Sequence, residues 1–593
     1  MRNFKYIKHP LFQIFLIVLF LSTLVFSSFG QYFEGIVQED YTISINKKEA
    51  SLPKFRNNHK NLEQLESFPK SFVGDTNSKN FRNVTLADVD GDGIDDILFA
   101  ANNQLLAFSR TELLWTKTMV GTGIYPPSVA DIDNDGTIEI IQATGGNGRS
   151  GRLYVMDNNG ADRDGFPKNF SNHWILTTPA LADLDNDGNL EIIFLERDSP
   201  GGNVHIIKND GTPFNSNWPI RLPRTPAVTP SIGDIDNDGA QEIVVASTTT
   251  LYAYDLQGQL EEGWPVDNPD TRFSFQSPIL RDLDDDGDLE IIGASHGNTP
   301  EFYIFNHDGS PYKSWPFFVP EREWTFSTPS VVNLNGITQI FMSRPIREEA
   351  ADMLYAWDEA GFLQDGFPIV KQGGLEGIIT IADIDEDDEM ELLFGSNRLD
   401  EEGFGFIHAF NMDGTEVLEG FPLRPQGWTL LNGAALGDVN GDNLMDLIAL
   451  TYTTNAGVST DSVFLNVYNL DIPYSPEKIR WSTYKGNNLR NGNLQNLLAS
   501  STLPSLNTNL RIDISPNPIV VTGGNMTLSL NTPLLLNADI INTNGQIIQH
   551  FFTQKFSQGT HQIALPALPA GLFFIEISSP SYLPVTKKII VIK

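Results

Sequence analysis

The sequence predicts an all-β protein: a β-propeller, eight blades by repeat count with seven as the alternative, followed by a small Ig-like β-sandwich. Three observations predict it. An acidic loop of the pattern D-x-D-x-D-G-x-x-D/E begins at Asp88 and recurs at Asp131, Asp183, Asp234, Asp282, Asn333, Asp383 and Asp438, at intervals of 43 to 55 residues. Each unit breaks into four short extended runs divided by turn residues, with no helical period of useful length. Four strands in about 50 residues is the signature of a propeller blade. Third, 593 residues exceed what one compact core holds, so an array is expected.

The elements follow in order. Arg2, Lys5 and Lys8 precede an apolar run from Leu11 to Phe26, and Ser28, Phe29 and Gly30 form a small-x-small site. Residues 1–30 therefore read as a secretory signal peptide cut near Gly30–Gln31, with an uncleaved anchor as the alternative. No later window is long and apolar enough for a membrane span. Residues 31–67 are an N-terminal extension, and residues 68–492 are the propeller. In a typical unit, Ala180–Leu184 leads into the loop and Leu190–Leu195 follows it. Val204–Lys208 comes next, then a turn at Asn209–Gly211, then Trp218–Leu222. Two fourth-strand-like pieces, Phe68–Phe72 and Ile479–Tyr484, lie outside the loops at either end and are expected to close the ring. Phe-Pro or Trp-Pro pairs recur at Phe166, Trp218, Trp264, Trp315, Phe367 and Phe421, where an outer strand tolerates Pro at its edge.

The loops place oxygens at positions 1, 3, 5 and 9, a hard-ligand set that suits Ca²⁺. The ligands are Asp88, Asp90, Asp92 and Asp96 in the first loop, and Asp131, Asp133, Asp135 and Glu139 in the second. The third has Asp183, Asp185, Asp187 and Glu191; the fourth, Asp234, Asp236, Asp238 and Glu242. The fifth has Asp282, Asp284, Asp286 and Glu290; the seventh, Asp383, Asp385, Asp387 and Glu391. The eighth has Asp438, Asn440, Asp442 and Asp446. Position 6 must turn sharply, so Gly stands there, or Asp388 and Asn443 in the last two loops. The sixth loop, Asn333–Gln339, has no carboxylate and is expected to hold no ion. This is not an EF-hand, because position 12 of the first loop is Phe99 and the flanks are strands. About seven structural Ca²⁺ ions follow. They would staple a chain with no cysteine and neutralise part of a net charge of −36.

The acidic loops, each between apolar strands, resemble FG-GAP/VCBS repeats over residues 68–492. That resemblance implies a propeller with calcium sites and no single activity. Residues 493–510 read as a linker. Residues 511–593 are long enough for one sandwich. There ISPNP (Ile514–Pro518), NTNGQ (Asn542–Gln546), LPAGLFFIEI (Leu568–Ile577) and KKIIVIK (Lys587–Lys593) resemble the C-terminal sorting domain of type IX (Por) secretion. Phe573 stands where that family has Tyr. The resemblance implies a Bacteroidetes-type cell, handling by the type IX machinery, and a secreted or outer-membrane surface-attached product.

The acidic surface argues against nucleic acid and anionic lipid as partners. No metalloprotease, nucleophile-elbow, Walker or dinucleotide motif is present, and there is no Cys nucleophile. The ligand face is expected opposite the calcium loops. There the 4→1 connections carry Trp174, Phe273, Trp324 and Trp428, with Arg272 and Arg322 beside two of them. The leading expectation is a non-catalytic binding or adhesion module for glycan or protein. The alternative is a polysaccharide lyase or hydrolase, since calcium-bearing propellers of similar length include rhamnogalacturonan lyases.

Overall fold

The computed structural model describes residues 31–37, 43–49, 62–493 and 510–592. Short gaps at 76–77, 146–149, 199, 323–324, 326, 335, 345–349, 454–460, 521–522, 531–533, 542–546 and 580–581 are left out. The signal-peptide and linker expectations lie outside the described residues, apart from Asn493 and Leu510. The chain divides into two units, Met1–Asn61 and Leu62–Lys593. In the first, Gln31–Val37 pairs antiparallel with Ile43–Glu49.

The second unit contains eight antiparallel blades. In blade 3 the strands are Ala180–Ala182, Glu191–Arg197, Gly202–Ile207 and Ile220–Leu222. The second strand of every blade but the sixth is a nearly continuous apolar run, such as EIIFLER or EIVVA, and is buried on both faces. Face-to-face blades demand this, because each strand is covered by a neighbour on either side. Outer strands alternate instead, as in Lys168–Ser171, where one face is left to solvent.

Hydrophobic clusters join neighbouring blades. Leu98 and Leu105 meet Ile140 and Tyr154 between blades 1 and 2. Ile97 and Phe99 meet Ile448 and Val463 between blades 1 and 8, which closes the ring. As expected, the piece beginning at Phe68 takes part in the closure: Lys70–Val73 is the outer strand of blade 8, paired with Ser462–Pro473.

Blades also interlock at the outside. Trp115, Trp218 and Trp264 donate indole N–H bonds to Asn158, Leu256 and His307 carbonyls of the following blade, at 2.9, 3.0 and 2.6 Å. The turn between strands 3 and 4 of that blade carries a left-handed Gly with no room for a side chain. A Cβ on Gly160, Gly258 or Gly309 would stand 2.7 to 2.9 Å from Trp115, Ile220 or Val266.

The other expected closing strand is a correction. Ile479–Trp481 is not an outer strand; it pairs with Thr380–Ala382, the first strand of blade 7. The chain then runs along the inner edges of further blades. Asn488, Leu489, Asn491 and Gly492 carbonyls accept N–H bonds from Val129, Leu181, Ile232 and Leu280, at 2.8 to 3.1 Å. Each donor is the middle residue of its blade's first strand. Lys485 and Arg490 are buried here and held by neutral oxygens. Lys485 Nζ donates to the Pro230 carbonyl (2.5 Å) and Ser231 Oγ (2.8 Å). Arg490 donates to the Tyr484 carbonyl and Thr85 Oγ1, both at 2.7 Å. Buried polar groups need such partners. Together with the pairing to blade 7, these bonds tie one segment to six blades.

The C-terminal region forms a separate core. Its seven strands hydrogen-bond in one path, from Ile547–Phe556 at one end to Gly559–Ala564 at the other. Met526, Leu528, Leu536, Ile540, Ile575 and Ile589 meet inside it. Among the described residues, the helical pieces are three-residue 3-10 turns.

Candidate metal centres and the opposite rim

Each acidic loop joins the first and second strands of its blade. Its backbone is held by its own carboxylates. Asp131 Oδ1 and Oδ2 accept the N–H groups of Asp135 (3.1 Å) and Gly136 (2.8 Å), and Asp183 and Asp234 do the same one and two blades on. The position-5 carboxylate accepts the N–H of position 7, as Asp187 does from Asn189 at 2.8 Å. Two residues per loop are left-handed. Position 6 is as expected: Gly136, Gly188 and Gly239 have φ of 89°, 90° and 94°, and Asp388 and Asn443 have 66° and 63°. Position 4 is the second, and the ligand pattern does not announce it. Asn134, Asn186 and Asn237 all have φ of 56°, which explains the recurring Asn in DNDG.

The same loops also bring carboxylates close together. Ligand atoms of positions 1, 3 and 9 lie within 4.8 Å of one another in the first five loops. Position 9 is the revealing one. Asp96, Glu139, Glu191, Glu242, Glu290, Glu391 and Asp446 are all 0–2% exposed. One oxygen of each accepts the N–H of position 2, as Glu242 does from Ile235 at 2.8 Å. The other oxygen of Asp96, Glu391 and Asp446 is buried with no hydrogen-bond partner. Burial pushes Asp96, Glu139, Glu191 and Asp446 up to about 7, and Glu242, Glu290 and Glu391 up to about 8. An ionised carboxylate is costly in that position unless a cation compensates it. All donors are oxygens, so the residues fit a hard cation of the Ca²⁺ kind. Bound there, calcium would supply charge compensation and a cross-link between strands 1 and 2. The sixth position is a tight hairpin paired as far as Leu334 and Ile337, with no carboxylate.

Among the described residues, the aromatics expected on the opposite rim fall in different settings. Phe273 is buried, edge-on to Tyr303 with ring centroids 5.4 Å apart, so it presents no face to a ligand. That corrects the expectation: the residue sits where a blade's first strand enters the core. Arg272 is exposed and its strand pairs with His296. Trp428 is half-buried and backbone-paired to Tyr452. Trp324 lies outside the described residues, and Arg322 ends a short 3-10 turn. Trp174 is half-buried beneath the Arg197 guanidinium, 5.5 Å from its ring.

Around Trp174 the rim of blade 3 carries a polar cluster that the sequence motifs do not reveal. Glu196 is buried and contacts His173 Nδ1; His205 Nε2 lies 2.6 Å from it, and Asn203 Nδ2 donates to it at 3.0 Å. Arg221 grips Asp198 with two bonds of 2.9 and 2.8 Å. That grip holds the Asp198 carboxyl below its usual range. Burial pushes His205 down to about 4, so its ring is neutral near pH 7, stacked 4.7 Å from Phe194. Glu196, Asn203 and His205 fall at alternating positions on paired strands, the one pattern that could have placed them on a common face.

A family model described as FG-GAP-like repeat matches residues 131–194 and 183–245, spanning the second, third and fourth acidic loops. One described as Secretion system C-terminal sorting domain matches residues 513–593. The chain therefore carries FG-GAP-like repeats in its propeller and a type IX sorting tail behind it. No curated protein matches the chain. Among solved structures it is similar to the V. cholerae biofilm matrix protein Bap1, at 14% identity and TM-score 0.32, over 85% of this chain and 87% of that one. It is also similar to the Dos1 propeller, at 11% identity and TM-score 0.38, over 70% and 96%. A third likeness is a protein of unknown function from Bacteroides caccae, at 13% identity and TM-score 0.27, over 45% and 92%.

Proposed function

We propose that this protein is a calcium-stapled propeller displayed on, or released from, the cell surface, where it binds a glycan or protein. The sorting tail carries the surface half of the reading: it marks the chain for type IX export and a secreted or surface-attached state in a Bacteroidetes-type cell. Among the described residues no helix is long and apolar enough to cross a membrane. The orphaned, buried position-9 oxygens carry the calcium half.

The binding surface is the rim opposite the calcium loops. Its best-built patch is on blade 3, where half-exposed Trp174 and His173 stand beside the Asp198–Arg221 pair. A flat ring with adjacent charged donors and acceptors suits a polyol or a polar peptide. A lyase or hydrolase is the second reading, favoured only by the same cluster, whose His173–Glu196–Asp198 set supplies acid–base groups. The test is a glycan array and a pectin panel with the mature chain. Saturable binding that is lost in Trp174→Ala and Arg221→Ala, without product release, supports the binding module. Chain cleavage that is lost in His173→Ala supports the enzyme instead. Binding and cleavage that both survive all three substitutions would remove blade 3 as the site.

A further inference from the structure

The seven carboxylate-bearing loops are not equivalent, and in blades 2 to 7 one hairpin residue at the same backbone position differs from blade to blade. This residue follows the turn between strands 3 and 4, and its N–H donates back to strand 3. Arg163 donates to Val155, Glu261 to Ala253, Tyr312 to Ile304 and Gln364 to Ala356, all at 2.9 or 3.0 Å. Phe214 and Val417 hold the same place in blades 3 and 7, donating to Ile206 and Ala409. The backbone position is common and the chemistry is not.

In blade 2 that residue is a cation, and it is seated in the site. Arg163 Nη1 lies 2.6 Å from Glu139 Oε1, and Nη2 donates to Asp133 Oδ2. Glu139 and Asp133 are the position-9 and position-3 members of the second ligand trio. In other loops a cation reaches one carboxylate at position 1, 3 or 5: Lys478 on Asp383, Lys208 on Asp185, and Arg110 on Asp92. Among the described residues, Arg163 alone forms an ion pair with a position-9 carboxylate. At the other extreme, blade 4 puts Glu261 there, close enough to repel Asp236 and Asp238.

We infer that Arg163 is a built-in substitute for the metal, so the second loop takes calcium far more weakly than the other six carboxylate-bearing loops. To admit an ion, the guanidinium must release both carboxylates, and that cost is subtracted from the ion's affinity. The inference rests on the calcium reading of the loops. It lowers the expected complement of tight ions from seven to six, and it leaves blade 2 stapled when calcium is scarce.

The experiment is native mass spectrometry of the mature full chain across a calcium titration. The wild type is expected to show six tight ions. Arg163→Met is expected to show seven, with the added site gaining about tenfold or more in affinity from loss of the adjacent charge. Adding Asp131→Asn to Arg163→Met should return the count to six, which assigns the gained ion to the second loop. Seven tight ions in the wild type, or an unchanged count in Arg163→Met, would overturn the inference while leaving the calcium reading intact. No tight calcium in either protein would overturn the calcium reading itself.

Discussion

The two rims of the propeller are built from the same strands and behave as opposites. On one rim, every blade but the sixth makes its connection in nearly one way: a nine-residue turn, left-handed residues at fixed places, and a buried carboxylate at the ninth position. On the other, the connections share no ligand set. Phe273 is swallowed by the core, Trp174 lies under Arg197, and blade 3 joins Glu196 to two histidines. Repetition marks a stability device that nearly every blade needs. Divergence marks the place where one protein can differ from another.

If that division is right, calcium removal gives the largest effect of any perturbation. At calcium tenfold above Kd each bound ion stabilises by about 1.4 kcal/mol, so six or seven together contribute roughly 8–10 kcal/mol. That is comparable to a whole domain's net stability. Differential scanning calorimetry of the mature chain should show the propeller transition falling steeply in chelator, and the C-terminal module, which has its own core, unmoved. A propeller that melts at the same temperature with and without calcium would end the comparison, since both rims would then be ordinary loops.

The second effect is a change of sign at one residue. Glu290 is buried, accepts the Leu283 N–H at 2.8 Å, and is pushed up to about 8 by its burial. In calcium, Glu290→Gln removes an ion's main buried ligand and should cost about 1–2 kcal/mol. In chelator, the same substitution removes an uncompensated buried carboxyl and should be neutral or stabilising. Paired denaturant titrations read both. A loss of stability in both buffers would mean that Glu290 serves packing rather than the metal.

The pH dependence follows the same logic. The position-9 carboxyls hold their protons to about pH 7–8 in the ion-free folded chain, and titrate near 4 when unfolded. Between those limits the folded state binds more protons, so ion-free stability falls as pH rises from about 5 to 8. Calcium requires the ionised form, so with calcium the slope is removed or reversed. Melting temperatures at several pH values in chelator and in calcium test this. Parallel curves in the two buffers would separate the raised carboxyls from metal binding.

The contrast also explains what can be read from the chain. The acidic loops, the apolar second strands and the closing strand near Phe68 repeat in register, so local pattern is enough. The segment from Ile479 reads as one more outer strand, because Ile479 and Trp481 alternate inward along it. Its partners lie on inner strands of blade 7 and then of blades 2 to 5, up to about 360 residues away in sequence. No local pattern encodes bonds that one segment makes with many blades. The same limit hides the blade-3 cluster, whose members are drawn from two loops and three strands. It also hides Arg163, which reads as one more charged turn residue until the hairpin folds it onto Glu139.

The smallest expected stability effect belongs to the variable rim, and there the comparison sharpens most. Arg221 is half exposed, and its pair with Asp198 is a surface interaction of about 0.2–1 kcal/mol. Trp174 is half-buried, lying under Arg197 and close to Gly145 of the preceding blade. Arg221→Ala should therefore leave the melting temperature within about a degree or two while abolishing whatever ligand blade 3 holds. Trp174→Ala should cost somewhat more stability and the same binding. Measured beside Glu290→Gln, which costs stability in calcium and spares binding, the three variants form a double dissociation between the rims. If Arg221→Ala instead destabilises the fold as much as Glu290→Gln does, the blade-3 network is part of the scaffold, and the binding surface lies on another blade of the same rim.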